Sequence, residues 1–265
     1  GIMNAYYMHF YRPGSLYRLM INVWDKYHLS PIRNRVFEKY GCEPVDAKAL
    51  FWESRVISPG LEEFDEYIKA YPNWEAVGPI WGKLPTERPA WLDTLDDGTP
   101  NVYLTFGSTG DLDRFLRKNF AALAGEPYRF IVTTGGQVSE ATKALAPANF
   151  LLANYAPGDE VLKHCIALIF HGGNGTMYQA LAAGVPMLAL PHTLEQDINA
   201  QLCETHGFGL RLKPHQARGP RLLEALRKII NEPSYADAAA HFSTRIEESP
   251  GIQRAANVIK CAAAR

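Results

Sequence analysis

Short apolar runs alternate with stretches of helical spacing between Val102 and Leu212, and this alternation constrains the fold more than any other feature. The apolar runs predict strands over residues 102–106, 129–134, 149–152, 166–170, 185–190 and 208–212. The other stretches predict helices over residues 112–123, 159–164, 174–183, 194–206, 220–231, 233–247 and 251–264. Apolar strands that alternate with amphipathic helices are typical of a parallel sheet covered on both faces. The sequence therefore predicts an α/β, Rossmann-like doubly wound domain, whose ligand lies at the carboxyl ends of the strands.

A proline-rich passage precedes this domain and divides the chain. Pro72, Pro79, Pro85 and Pro89 lie close together, with tryptophans among them. Because proline fixes φ and removes a hydrogen-bond donor, the passage predicts an extended linker, with a domain boundary near Lys83. Upstream, only helices over residues 14–28 and 31–40 and a strand over residues 51–57 are predicted, which are too few for an independent core. We therefore predict that residues 1–83 are a partial α/β remnant, the tail of a domain whose beginning is absent.

The composition excludes several classes of protein. A formal net charge of −1 gives no reason to expect a nucleic-acid partner. The four cysteines are widely spaced without a C-x-x-C pair, which is typical of reduced thiols in a cytoplasmic protein. No apolar run approaches the roughly 20 residues that a transmembrane helix needs. No histidine pair has the spacing of a zinc site, so no metal is expected.

The strongest sign of function is the turn His171-Gly172-Gly173-Asn174-Gly175-Thr176, which joins a predicted strand to a predicted helix. Glycines allow backbone N–H groups to approach an anion closely and to adopt positive φ. The first turn of a helix adds unpaired N–H groups and a partial positive charge. Asn174 or Thr176 would cap this helix and donate to the same phosphate. The turn therefore predicts a phosphate site.

A tight turn that needs glycine only for its flexibility is the alternative interpretation of this segment. Two further turns at the same predicted sheet edge favour a ligand site, because residues 107–110 and 191–196 carry polar side chains that would reach one ligand. The glycine spacing is not the G-x-G-x-x-G of a nicotinamide-dinucleotide site. It is not a Walker loop either, because no Lys-Ser/Thr pair follows.

Several motifs, in order, resemble those of the UDP-glycosyltransferase-type enzymes of the GT-B fold. The turn that starts at His171 and the motifs after it are similar to the signature of that family: Ala180-Leu181, Gly184-Val185-Pro186-Met187, Pro191, Glu195-Gln196 and Asn199-Ala200. Three earlier segments resemble its linker, its first glycine-rich turn and the segment before the signature: Val77-Gly78-Pro79, Phe106-Gly107-Ser108 and Tyr155-Ala156-Pro157. The resemblance implies that residues 84–265 are the nucleotide-sugar donor-binding domain, the C-terminal half of a GT-B fold. Residues 1–83 would be the tail of the acceptor domain with the interdomain linker.

The resemblance also implies a role for each matching residue. His171 would hydrogen-bond or ion-pair with a donor phosphate. The diphosphate would further be held by Ser108, Thr109, Gly173, Asn174, Gly175 and Thr176. The nucleoside would be bound by Tyr155, Pro157 and Gln179. The sugar would meet His192, Glu195 and Gln196.

Two positions depart from the plant members of that family. Gly158 stands where they have a glutamine, and Gln179 stands where they have a glutamate for the ribose hydroxyls. Recognition of the base is therefore left open between UDP and TDP, and Gln179 is alternatively no more than an exposed helix residue. The nucleotide-sugar is a co-substrate, so no cofactor is expected.

The resemblance implies metal-independent, inverting transfer of the sugar to an acceptor hydroxyl. In inverting members a histidine near the start of the first domain, oriented by an aspartate, deprotonates the acceptor. That segment has no counterpart here, so no catalytic residue is identified, and we expect the chain to lack the base and to be inactive alone. The alternative is a non-catalytic donor-binding subunit or a degenerate relative that needs a separate acceptor-domain partner. A sugar-nucleotide epimerase fits the linker and Glu195-Gln196 less well.

The expected acceptor is a small molecule or a lipid. The first segment is aromatic and basic, and it forms either an acceptor wall or lipid-headgroup surface, or internal packing of the acceptor domain. The first interpretation predicts a peripheral position at the membrane. An incomplete acceptor domain would also favour self-association through its apolar face.

Overall fold

The computed structural model describes residue 23 and residues 25–43, 55–65, 73–81, 88–107 and 109–263. Contacts divide the chain into two units, one formed by Gly1–Ile80 with Ser249–Arg265 and the other by Trp81–Glu248. Most of the predicted helix over residues 14–28 and Ser108, which was expected to bind the diphosphate, lie outside the described residues.

The first unit contains a small parallel sheet. Strand β1 (Val56–Ser58) pairs with strand β2 (Trp74–Ala76), with Val56 opposite Trp74. Strand β2 lies inside the passage interpreted as an extended linker, because an extended segment needs only one neighbour to become an edge strand. Helix α1 (Ser30–Lys39) follows a π-helical turn, Asp25–Leu29, and matches the helix expected over residues 31–40.

The C-terminal helix, Gly251–Ala263, belongs to this first unit. Its buried side chains Ala255 and Val258 pack with Val77, and the partly buried Ile57 joins them. The sequence analysis assigned all of residues 84–265 to one domain, whereas contacts group the residues from Ser249 onward with the first unit.

The second unit is built on a sheet of six parallel strands in the order β5-β4-β3-β6-β7-β8. These strands are β3 (Asn101–Thr105), β4 (Arg129–Thr133), β5 (Phe150–Ala153), β6 (Cys165–Phe170), β7 (Met187–Ala189) and β8 (Gly209–Arg211). Successive residues point to opposite faces of the sheet, and both faces are apolar at the centre. This confirms the predicted doubly wound α/β sheet.

The helices of this unit follow the strands they connect. They are α2 (Leu112–Leu123), α3 (Glu140–Lys143), α4 (Gly158–Leu162), α5 (Asn174–Ala182), α6 (Leu194–Thr205), α7 (Gly219–Asn231) and α8 (Pro233–Glu247). Helix α2 begins at its cap Asp111, whose side chain accepts from the N–H of Arg114. Helix α2 packs against α7 and α8 packs against α5, so helices cover the sheet.

The central strand β3 is held in the sheet by a buried apolar core that it shares with α2 and α7. Val102 and Leu104 of β3 are fully buried with Leu116 of α2 and Leu226 of α7. The strand order reverses between β3 and β6, which hydrogen-bond to each other at the centre of the sheet. The loops after these two strands diverge at their carboxyl ends, and such a switch point is where open α/β sheets bind ligands.

Candidate functional site

The loop between β6 and α5 is shaped by Gly172 and by helix α6. Gly172 has φ of +88°, and a Cβ there would lie 2.6 Å from the carbonyl oxygen of Gln196. Nδ2 of the buried Asn199 donates to the carbonyl oxygen of Gly172 over 2.8 Å. Helix α6 therefore holds this turn in place, and only glycine fits at its centre.

The imidazole of His171 lies between glycines from two different loops. A Cβ on Gly107, in the loop after β3, would come within 3.0 Å of Cε1 of His171. A Cβ on Gly173 would come within 2.5 Å of Nε2 of the same ring. The two loops of the switch point therefore close on this ring, and glycine at each side makes room for it.

Burial decides the charge of His171. The residue is 7% exposed, and its desolvation lowers the pKa of the imidazole to about 4. The ring is therefore neutral near pH 7 and carries one N–H. Nδ1 is buried and forms no hydrogen bond of good geometry, although a backbone contact with Thr105 partly offsets the lowering of the pKa by burial. A neutral ring with spare hydrogen-bonding capacity meets an anion as a donor, before any proton is taken up.

The start of helix α5 is open to a ligand. Its N-cap is Gly173, which has no side chain to accept a hydrogen bond from the first turn. The expectation that Asn174 or Thr176 caps the helix is therefore wrong, because Asn174 already has helical backbone and the cap position falls on the glycine. The uncapped N–H groups keep their partial positive charge beside His171.

Two of the residues expected at the sugar and the diphosphate contact each other. Nε2 of Gln196 donates to Oγ1 of Thr109 over 2.9 Å. Oε1 of Gln196 accepts from the N–H groups of His192 and Thr193 over 2.8 Å and 3.2 Å, completing a capping box at the start of α6. Gln196 is 5% exposed and joins the loops after β3 and β7.

His192 and Glu195 are placed differently from Gln196. Both are exposed, with Glu195 in the first turn of α6. The ring of His192 lies 5.9 Å from that of Phe106, and although the side chain is exposed, partial desolvation lowers the pKa of His192 below its ordinary value. Both side chains face solvent near the carboxyl edge, where a sugar would be reached, and their roles stay predictions.

The residues expected at the nucleoside lie around the start of α4. Tyr155 is 48% exposed, and Pro157 is the N-cap of α4. Gln179 of α5 is half-buried, and its Oε1 lies 2.8 Å from where a Cβ on Gly158 would stand. Gly158 therefore makes room for Gln179, which is more than a surface residue of its helix.

Comparison with known proteins agrees with this geometry. The family model described as "Erythromycin biosynthesis protein CIII-like, C-terminal domain" matches residues 120–260, more than half of the chain. The chain belongs to this family, that of the erythromycin biosynthesis protein CIII-like C-terminal domain. The predicted resemblance is thereby confirmed, and the parallel sheet is that of the C-terminal half of a GT-B fold.

Curated relatives of this GT-B chain include two mycobacterial proteins. It is 32% identical over 171 residues to the PGL/p-HBAD biosynthesis rhamnosyltransferase of Mycobacterium bovis. The aligned region covers 64% of the chain and 37% of the relative. It is 29% identical over 237 residues to a PGL/p-HBAD biosynthesis glycosyltransferase of Mycobacterium tuberculosis, covering 86% of the chain and 53% of the relative. The chain thus spans between about a third and about half the length of these relatives.

Solved structures share the fold of the GT-B chain. The calicheamicin glycosyltransferase CalG4 superposes with a TM-score of 0.73 at 22% identity, over 93% of the chain and 64% of that structure. The glycotransferase of kitacinnamycin superposes with a TM-score of 0.76 at 20% identity, over 92% of the chain and 65% of that structure.

The sequence assigned no role to two residues that shape the site, Gly107 and Asn199, although both lie in the quoted motifs. Gly107 faces the ring of His171, and its carbonyl oxygen accepts from Nε2 of Gln137 over 2.5 Å. Asn199 lay inside a quoted motif, but its bond to Gly172 joins residues that are distant in sequence.

Among the described residues, no group of His, Cys, Asp and Glu side chains has the arrangement of a metal site. None of the described helices is both long enough and apolar enough to cross a membrane.

Proposed function

We propose that the second unit binds a nucleoside-diphosphate sugar, with the diphosphate at His171 and the uncapped start of helix α5. One observation carries the proposal: a neutral, hydrogen-bonding imidazole and free helix N–H groups lie side by side at the switch point. Both groups favour an anion, and the loop after β3 closes the site from the other side. The nucleoside would then extend towards Tyr155 and Gln179, and the sugar towards His192 and Glu195.

The reaction we propose is inverting transfer of the sugar to an acceptor hydroxyl. As the glycosidic bond breaks, negative charge develops on the leaving diphosphate, and preorganised N–H donors stabilise it. His171 supplies a further donor whose hydrogen bond strengthens as that charge grows. In this proposal, these groups stabilise the leaving diphosphate without a metal ion.

The base that deprotonates the acceptor belongs, in this proposal, to the acceptor domain. A histidine–carboxylate pair does lie in the second unit: Nδ1 of His164 and Oδ1 of Asp96 are 2.8 Å apart. His164 directly precedes β6, so this pair lies at the amino ends of the strands, opposite His171. It is therefore too far from the leaving group to act on an acceptor there.

Titration calorimetry with UDP and TDP and with their glucose derivatives tests the binding step. We expect micromolar or tighter binding of at least one nucleotide, and His171→Ala to weaken it by about 1.5–3 kcal/mol, the loss of one hydrogen bond to a charged group. The exposed His241 of α8 provides the control His241→Ala, which should leave the affinity unchanged. Unchanged affinity in His171→Ala, with a thermal unfolding midpoint like that of the parent, would sink the phosphate assignment.

A further inference from the structure

A separate cavity of about 360 Å³ opens at the same edge of the sheet. The first turns of α2 and the loop before α7 line it, together with Phe106 and Leu190 at the ends of β3 and β7. Its volume lies within the roughly 300–1,000 Å³ of small-molecule sites. His171 and Gly173 do not line it, whereas His192, proposed above to face the sugar, does, so the cavity adjoins the proposed donor site without including the diphosphate position.

The rim of this cavity is positively charged. Arg114 and Lys118 of α2 and Arg218 of the loop supply three cations, and Asp111 is the only carboxylate among the described lining residues. Asp111 is occupied as the cap of α2. Within the part of the chain that the structure describes, none of the three cations forms an ion pair. Since the whole chain has a formal net charge of −1, this is a local concentration of positive charge.

The floor of the cavity is aromatic. Phe106 and Phe115 are 1% and 8% exposed, and their ring centroids lie 4.9 Å apart. Leu190 adds an aliphatic surface beside them. A flat apolar body packs well on such rings, in offset or edge-to-face geometry.

Helix α2 and the loop before α7, which form the two walls of the cavity, are held together by hydrogen bonds. The buried Asn119 of α2 donates from Nδ2 to the carbonyl oxygen of Ala217 over 3.3 Å. Its Oδ1 accepts from the N–H of Gly219 over 3.0 Å. These bonds tie the loop that carries Arg218 to the helix that carries Arg114 and Lys118. The convergence of the cations is therefore built into the fold, which lowers the entropic cost of binding.

We propose that this cavity binds a small aromatic anion. Its ring lies on Phe106 and Phe115, and its carboxylate or sulfonate lies among Arg114, Lys118 and Arg218. The anionic group supplies charge-assisted hydrogen bonds at the rim, and the ring removes apolar surface from water at the floor. The cavity lies wholly within the second unit and needs no other part of the chain.

Calorimetric titration with 2-naphthoate tests the proposal, with 2-naphthamide as the uncharged analogue. We expect the triple variant Arg114→Gln, Lys118→Gln, Arg218→Gln to weaken 2-naphthoate binding about tenfold or more. The control triple Arg117→Gln, Lys213→Gln, Arg221→Gln removes the same charge from α2, the loop before α7 and the first turn of α7, at residues that do not line the cavity. It should retain the parent affinity, and 2-naphthamide should bind the parent at least about tenfold more weakly.

Three results would overturn the proposal: no binding of 2-naphthoate, an equal loss in both triple variants, or equal affinity for 2-naphthamide. Thermal unfolding of both triples checks that they are folded. UDP titration of the same proteins separates this proposal from the donor-binding one. UDP binding without 2-naphthoate binding would overturn the cavity proposal alone, and the reverse result would overturn the donor-binding proposal alone.

Discussion

Gly173 and Gly175 lie two residues apart in one turn, yet the structure demands glycine at only one of them. A Cβ on Gly173 would lie 2.5 Å from Nε2 of His171, whereas a Cβ on Gly175 would meet nothing within 4 Å. Gly173 has φ of −68°, which alanine adopts without strain, so the conflict at this position is steric.

The two alanine substitutions should therefore have opposite effects on stability. We expect Gly173→Ala to lower the free energy of unfolding by about 1–3 kcal/mol, because the added methyl group displaces the buried ring. Gly175→Ala should raise it by up to about 1 kcal/mol, because alanine is the better helix former. Urea denaturation of both variants and the parent measures the difference. Equal effects would show that the ring is not held as described.

The buried imidazole of His171 also makes stability depend on pH. Its pKa is about 4 in the folded chain, against an ordinary value of 6.5. Between these values the unfolded chain binds a proton and the folded chain does not, so stability falls as pH falls from about 6.5 to 4. Above pH 6.5 the group contributes nothing to the pH dependence. Its share of the loss amounts to at most about 3 kcal/mol.

Urea denaturation of the parent and of His171→Gln between pH 7.5 and pH 4.5 isolates this share. We expect the variant to lose less stability than the parent over this interval, because glutamine does not titrate. The exposed His241 again provides the control, since His241→Gln should follow the parent. Parallel curves for the parent and His171→Gln would contradict the burial of a neutral ring.

At the site, local features could be predicted from the sequence, and contacts between distant residues could not. The turn from His171 to Thr176 was recognisable as an anion site, because glycines and a helix start are local features. The neutral state of His171 was not, because the ring is desolvated by a loop 64 positions earlier, at Gly107. The hydrogen bond from Nε2 of Gln196 to Thr109 could not be predicted either, because Thr109 lies on another loop.

Among the elements, strands and long helices were predicted closely because their periodicity is strong. Helix α2 and helix α8 have the expected bounds, Leu112–Leu123 and Pro233–Glu247. Short elements were missed, as for α3 (Glu140–Lys143), because four residues show no period. Strand β2 (Trp74–Ala76) was missed because prolines flank it.

Helix α6 offers a test of how its capping box supports the loop after β7. Oγ1 of Thr193 accepts from the N–H of Gln196, while Thr205 ends the same helix. We expect Thr193→Ala to lower the free energy of unfolding by about 1 kcal/mol through loss of the cap. Thr205→Ala removes the same side chain at the other end and should leave stability unchanged or slightly raised. Equal losses in urea denaturation would mean that the cap contributes nothing.

For the whole molecule, the cysteines report separately on the two units. Cys42 and Cys261 are exposed and belong to the first unit, whereas Cys165 and Cys203 belong to the second. Burial raises the pKa of the Cys165 thiol to about 12 and also raises that of Cys203. Because the thiolate is the reactive form and Cys203 is fully buried whereas Cys165 is only partly buried, Cys203 should react with a disulfide reagent only when the second unit opens.

Addition of UDP should therefore protect the buried Cys203 and not the exposed Cys42 and Cys261. A ligand at one hundred times its dissociation constant stabilises the unit that binds it by about 2.7 kcal/mol. We expect labelling of the buried Cys203 to slow by about a hundredfold when opening limits the reaction through its equilibrium. Labelling of Cys42 and Cys261 should keep its rate, because these thiols are already exposed. Mass spectrometry of the labelled peptides resolves the cysteines individually. Equal slowing at all of them would contradict a donor site confined to the second unit, since binding energy placed there has no reason to change the access of reagent to an exposed thiol in the first.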